Sequence, residues 1–248
     1  MTLLRDILRD ESMSPLSNNV YAVLMTLVYV KLGMETAYWV RWRSGKRRAS
    51  RTLVHLCLSS VIVFWPLYDR SDWSWRLNVI VPLSVACRFF YKGMIYKASE
   101  DLDVNAFSRQ GSPSELILGP LQLNLLLVYL GLQHFMEMES AITLAAVGIG
   151  DTIAPWVGAH FGRHIYRMPL GSLKTMEGSI CGVFMGTILG SYLIIWFLDL
   201  HVLPLRILIS YATVAAFAEA SAPSSVDNIV VSVTLLLSMK RIEELLPR

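Results

Sequence analysis

Eight stretches of the chain are mostly apolar and are parted by short polar or charged segments: residues 18–40, 52–68, 76–95, 116–134, 140–158, 178–198, 203–221 and 227–240. A helix needs roughly 20 mostly apolar residues to cross the hydrocarbon core of a bilayer, and most of these stretches approach that length. The last is shorter and is expected to lie tilted or partly re-entrant. The pattern predicts an all-α, polytopic transmembrane helical bundle with about seven or eight spans. One domain is expected over residues 18–240, between a polar N-terminal segment, 1–17, and a C-terminal tail, 241–248. Arg5, Asp6, Arg9, Asp10 and Glu11 make the N-terminal segment too acidic for a typical organelle transit peptide, and no cleavable signal is expected there.

Composition agrees with this reading. Hydrophobic residues make up 54% of the chain and charged residues 17%, against about 25% charged in soluble domains. The net charge of +3 is modest, and the basic residues sit in short segments between apolar runs, so nucleic acid is excluded as a partner. Cys57, Cys87 and Cys181 all fall inside apolar runs, which excludes a disulfide framework.

The charges also predict an orientation. Residues 41–51, "RWRSGKRRASR", hold six basic residues and no acid, and such segments stay cytoplasmic. Counting spans from there puts 96–115, 159–177 and 222–226 on the same side, and 69–75, 135–139 and 199–202 opposite. Trp39, Trp42, Trp73 and Trp75 are expected in the interfacial belts. Almost every unusual polar residue then falls on the cytoplasmic face. Transporters place polar groups near the midplane; a one-sided cluster fits an enzyme that takes one substrate from water and another from the membrane.

The chemistry of that cluster is specific. Asp151, Glu177, Glu219 and Asp227 are carboxylates at helix ends, and magnesium binds through one or two carboxylates plus substrate phosphates. Arg51, Arg109, Arg163 and Lys174 offer positive charge for phosphate oxygens. Gly150, Gly158, Gly162 and Gly178 allow close backbone approach, and Gly178-Ser179 at the start of a span can present amides to an anion. Asp151 lies in "VGIGDTIAPWVGAHFGRH", where an ionisable group at span depth costs a few kcal/mol on insertion scales and points to function. Plainer readings stand beside these. Asp227 and Asn228 suit a helix N-cap, Glu219 suits a buried salt bridge with Arg206 or Arg88, and the glycines suit helix packing. No GxxxxGK[ST] pattern and no kinase glycine loop is present, so the soluble kinase folds are excluded.

Five segments, in order, resemble the CTP-dependent polyprenol kinase family, which includes phytol, farnesol and dolichol kinases and CTP-using diacylglycerol kinases. They are "RRASRTLVH" (47–55), "SRQGSPSELILGPL" (108–121), "GDTIAPWVGAHFGRH" (150–164), "PLGSLKTMEGSICG" (169–182) and "EASAPSSVDNIVVSV" (219–233). The likeness is best to the phytol/farnesol branch. In the last segment Val226 stands where relatives often carry a first Asp. The resemblance implies CTP as phosphoryl donor, a divalent cation such as Mg2+, and the hydroxyl of a membrane-resident isoprenoid alcohol as acceptor. It implies catalytic roles for Asp151, Lys174, Glu177 and Asp227, and cation binding at Asp151, Glu219 and Asp227. Nucleotide contacts are implied at Arg51, His55, Arg109, Glu115, Gly150, Gly158, Gly162, Arg163, Gly178, Ser179 and Asn228. Three alternatives remain open: a CTP-dependent diacylglycerol kinase, a phosphatidate cytidylyltransferase-like enzyme, and a non-catalytic membrane protein or transporter of the same fold. Endoplasmic reticulum, plastid and bacterial inner membrane are equally compatible with these residues, as is any oligomeric state.

Overall fold

The computed structural model describes residues 14–223 and 225–245. The expectations for residues 1–13 and for 246–248 lie outside the described residues. Within them the chain is helical apart from one small hairpin. In order the elements are α1 (Pro15–Ser44), α2 (Arg47–Leu67), α3 (Trp73–Tyr96), α4 (Leu102–Phe107), α5 (Pro113–Gln133), α6 (Met138–Phe161), β1 (Ile165–Arg167), β2 (Leu173–Thr175), α7 (Gly178–Phe197), α8 (Leu205–Ser221) and α9 (Asp227–Leu245). Six of them, α1, α2, α3, α5, α6 and α7, are long and apolar enough to cross a membrane. The seventh and eighth apolar stretches form α8, which has 17 residues, and α9, which runs on past the expected residue 240 to Leu245. The first helix starts before the expected residue 18. Ser14 Oγ accepts the Ser17 amide at 3.2 Å, and Pro15 occupies the first turn, a combination that favours a helix start. It ends at Gly45, whose φ of 68° lets its amide reach the Arg41 carbonyl at 3.0 Å.

The chain divides into two compact units, one up to Phe135 and one from Met136 onward. In the first unit α1 packs along α2 and α3, and α3 packs against α5. Trp65, Phe89, Phe107, Leu123 and Leu127 fill its interior. Buried amides tie the helices together. Asn19 bonds both ways with the Asp69 backbone, at 3.0 and 2.6 Å, and donates to Ser74 Oγ at 2.6 Å. Asn78 donates to the Gly131 carbonyl at 3.1 Å. Trp39, Trp42 and Trp73 are exposed as belt residues would be, whereas Trp75 stacks on Phe135 with ring centroids 5.0 Å apart.

A charged cluster in this unit went unread in the sequence. Asp103, fully buried on α4, accepts Arg88 Nε at 2.7 Å, Lys92 Nζ at 2.9 Å and the Tyr38 hydroxyl. Lys92 also pairs with Asp101 at 2.8 Å. Arg88 is thereby paired here rather than with Glu219.

In the second unit α6 and α7 pack through small residues. Gly150, Ala154 and Gly158 on α6 face Gly178, Gly182 and Gly186 on α7, each set repeating every four residues. That spacing places them on one helical face, and small residues let backbones approach closely. A Cβ on Gly182 would lie 2.3 Å from Ala154 Cα, and one on Gly186 would lie 2.9 Å from Gly150 Cα. The contact carries two π-helical turns, Ala145–Gly150 and Gly178–Phe184, a distortion frequent at functional sites. Gly182→Ala is expected to destabilise this unit by about 1–3 kcal/mol, because backbone, not a movable side chain, blocks the new methyl. A thermal melt in detergent measures it; an unchanged midpoint would count against the close approach. α8 packs on α7 and α9, and α9 also packs against α6 at 138–150.

Candidate functional site

The segment joining α6 to α7 was expected as a loop and is an antiparallel hairpin. Ile165 pairs with Thr175, Tyr166 with Lys174 and Arg167 with Leu173. Alternating residues between turn-forming residues explain it: "IYR" and "LKT" flank "MPLGS". Successive strand side chains point to opposite faces, so Tyr166 and Lys174 share one face while Ile165, Arg167 and Leu173 share the other and are exposed. Tyr166 bonds Ser179 Oγ at 2.6 Å. The turn lies against the end of α8, where a Cβ on Gly171 would come within 2.3 Å of the Ala220 carbonyl.

The hairpin is clamped at its base. His164 Nδ1 lies 2.7 Å from Glu177 Oε1, the His164 amide lies 3.3 Å from both carboxylate oxygens, and the Met176 amide donates to the His164 carbonyl at 2.9 Å. Hydrogen bonds from its own amide, from the His164 ring and from the Arg163 and His164 amides hold the Glu177 carboxyl down at about 2. A depressed folded pKa gives stability that is present above the unfolded value near 4.5 and is lost as pH falls towards about 2. The Met176 amide is therefore expected to lose hydrogen-exchange protection across that window, and Glu177→Gln to remove the pH dependence. Protection that is flat from pH 5 to pH 2 would show that the clamp does not hold the hairpin.

On the inner face Lys174 reaches α8. Its ammonium donates to Glu219 Oε1 and to the Glu219 carbonyl. The two side chains are only 10% and 7% exposed. Lys174, rather than Arg206 or Arg88, is the partner of Glu219. A tight connection joins α8 to α9: Ala222 donates to the Ala218 carbonyl at 3.1 Å and Val226 to the Pro223 carbonyl at 3.0 Å. It brings α9 back against α8. Asp227 Oδ1 accepts the Asn228 amide at 3.0 Å. Glu219, Asp227 and Asn228 are all buried.

Among the described residues, two acceptor atoms in this cluster meet no donor. Glu219 Oε2 and Asn228 Oδ1 are buried without a hydrogen-bond partner. Leaving a buried acceptor unmade costs about 1–3 kcal/mol, more for a charged group, so each calls for a ligand. Carboxylate and amide oxygens are the donors that magnesium takes, and the residues present fit such an ion.

Asp151 is half-buried and begins the α-helical part of α6, directly after the π-helical turn on which α9 packs. Gly150, Gly158 and Gly178 lie in the α6–α7 contact, and Gly162 lies beside Gly158 and Thr175. The Gly178 amide, expected to be open to an anion, is taken by Thr175 Oγ1 at 3.2 Å. Arg163 is exposed between α6 and the hairpin.

The second unit thus holds Gly150, Asp151, Gly158, Gly162, Arg163, Lys174, Glu177, Gly178, Ser179, Glu219, Asp227 and Asn228. Arg51, His55, Arg109 and Glu115 belong to the first unit. Arg51 and His55 sit one turn apart on α2. Glu115 Oε2 accepts the Gln110 amide at 2.9 Å and so closes its own loop, while Arg109 is exposed. Gly111, with φ 94°, lets this loop lie on Arg47, whose guanidinium would be 2.8 Å from a Cβ there. Reading from sequence alone missed Arg47, Tyr166 and Thr175. The turn residues at 168–172 were a usable signal for the hairpin that carries Tyr166; Arg47 and Thr175 are defined only by what they touch.

The chain is similar to plant proteins named as phytol kinases. It is 31% identical over 140 residues to a probable chloroplastic phytol kinase 1 of Glycine max, a match covering 55% of this chain and 45% of the relative. It is 30% identical over 158 residues to a probable chloroplastic phytol kinase of Zea mays, covering 62% and 51%, and 30% identical over 155 residues to a probable chloroplastic phytol kinase 1 of Oryza sativa subsp. japonica, covering 61% and 48%. The chain spans about half the length of these curated relatives. No family model matches it, and no solved structure matches it. The relatives support the phytol kinase branch of the polyprenol kinase family.

Proposed function

We propose that the protein is a membrane kinase that transfers the γ-phosphoryl group of CTP to the hydroxyl of an isoprenoid alcohol such as phytol. The names of its relatives support an alcohol kinase of this kind. The single observation that carries the site is the buried cluster of Lys174, Glu219, Asp227 and Asn228 with two acceptor oxygens left without donors.

In this reading Asp227, Glu219 and Asn228 hold a divalent cation, with Asp151 as a further carboxylate. When bound, the cation neutralises charge that develops on the phosphates. Lys174 and Arg163 are the positive side chains for the phosphate chain. Glu177 holds the hairpin that carries Lys174. Asp151, directly after the π-helical turn of α6, is also the carboxylate that orients the acceptor hydroxyl for in-line attack. Phosphoryl transfer asks the protein mainly for positioning and charge stabilisation, and charged side chains on packed helix ends supply both. The isoprenoid tail remains among the membrane-spanning helices, with the site on their cytoplasmic side.

The test is to offer γ-labelled CTP or ATP with magnesium to the purified protein, with phytol, farnesol, geranylgeraniol, dolichol and diacylglycerol as acceptors. Label passing from CTP to an isoprenoid alcohol is the expected result. Transfer only to diacylglycerol would move the substrate class. Pyrophosphate and a CDP-lipid would identify a cytidylyltransferase instead, and no transfer to any acceptor by the folded protein would leave the non-catalytic reading.

A further inference from the structure

We infer that Lys174 is a stand-in for the divalent cation: its ammonium occupies Glu219 until the cation arrives, and the cation then releases it to the phosphates. This rests on the proposed cation site at Glu219, Asp227 and Asn228.

The charges lead to it. Glu219 is a buried carboxylate, and a buried charge requires compensation. Lys174 supplies one positive charge and engages only Oε1 of Glu219, together with the Glu219 carbonyl. Among the described residues, Oε2 of the same carboxylate and Oδ1 of Asn228 remain without donors. An ammonium thus satisfies the Glu219 carboxylate by half. Carboxylate and amide oxygens are the donors that a divalent cation takes. Ammonium and cation then repel each other at close range in a poorly solvated site, so the cation cannot bind tightly while Lys174 keeps its place.

The fold gives Lys174 somewhere to go. It sits on a two-stranded hairpin rather than on a helix, and its flexible stem carries a compact charge. Opposite it in the register, Tyr166 is bonded to Ser179 at the start of α7, which keeps the strand near the site when the ammonium leaves. The released charge is then positioned for a nucleotide phosphate. The order of events follows: cation first, triphosphate second, with the ammonium exchanging a carboxylate partner for a phosphate partner.

The experiment uses the full chain in nanodiscs and Mn2+ alone, with free Mn2+ measured by electron paramagnetic resonance and no nucleotide present. Lys174→Met is expected to bind Mn2+ about tenfold or more tightly than the wild type, since a competing charge is gone, and Glu219→Gln to bind it much more weakly. On the wild type, acetylation of Lys174 by acetic anhydride, followed by mass spectrometry, is expected to speed up when Mn2+ is added. This arm decides the matter if Lys174→Met does not fold. If Glu219→Gln weakens Mn2+ binding while Lys174→Met does not strengthen it and acetylation is unchanged, the exchange is wrong and the cation site stands. If Glu219→Gln and Asp227→Asn both bind Mn2+ as the wild type does, or no form binds it, the cation site itself is wrong and the exchange falls with it.

Discussion

Asp227→Asn is expected to lower the proposed phosphoryl transfer from CTP by about two to three orders of magnitude while leaving the protein folded. The magnitude is that of removing one preorganised electrostatic group from an active site. The substitution keeps the shape of the side chain and removes its charge. Asp227 stands in the first turn of α9, where an acidic residue contributes about 0.3–1 kcal/mol through the helix dipole. If the residue only started the helix, that small loss of stability would be the whole effect. If it holds a cation beside Glu219, the rate falls far more than the stability. Transfer of γ-label at saturating phytol, set beside a thermal melt of the same sample, separates the two. A mutant that melts slightly earlier and turns over normally would reduce Asp227 to a helix start, which its position equally allows.

Asp103→Asn is expected to have the largest effect on stability, a loss of about 3 kcal/mol or more. Removing one partner from a buried ion pair costs about 3–5 kcal/mol because the other partner is left uncompensated. Here three partners are affected at once: Arg88, Lys92 and Tyr38 all bond to the Asp103 carboxylate. They come from α1 and α3, so the carboxylate of α4 fastens two long helices. Burial by itself raises the Asp103 carboxyl, and the bonds from Arg88, Tyr38 and Lys92 outweigh it and hold it below its ordinary value. The stability it contributes is therefore fully present above the unfolded value of 3.8 and is lost as pH falls through the lower folded one. Wild type and mutant should converge in stability under acid and separate near neutrality. Equal unfolding midpoints at pH 7 would show that solvent screens the half-exposed Arg88 enough to make the cluster dispensable.

Much of the architecture was open to reading in one dimension. Long apolar runs have few ways to satisfy their backbone groups, so their length and spacing dictate helices. The eight runs reappear as α1, α2, α3 and α5 to α9. Asp151, Glu219 and Asp227 likewise stood out as carboxylates at the ends of apolar runs, whereas the four-residue spacing of Gly178, Gly182 and Gly186, though present in the sequence, was not read as a packing face. The hairpin at 165–175 was missed because a three-residue strand gives almost no periodicity, though its turn residues were present. Asp103 was passed over because "SEDLDVNAF" reads as an ordinary acidic loop, and nothing local reveals that Tyr38, Arg88 and Lys92 converge on it.

By itself, then, the order of residues determined the helical class, the approximate ends of the helices and the kinds of side chain gathered at them, since these depend on hydrophobicity and local spacing. Pairing was decided only by the tertiary structure. Lys174 meets Glu219 across 45 positions, and Glu219 Oε2 and Asn228 Oδ1 become acceptors without donors only when α8 and α9 close on each other. Burial is what converts a polar atom from a hydrated group into an unmet requirement, and burial exists only once the chain has folded.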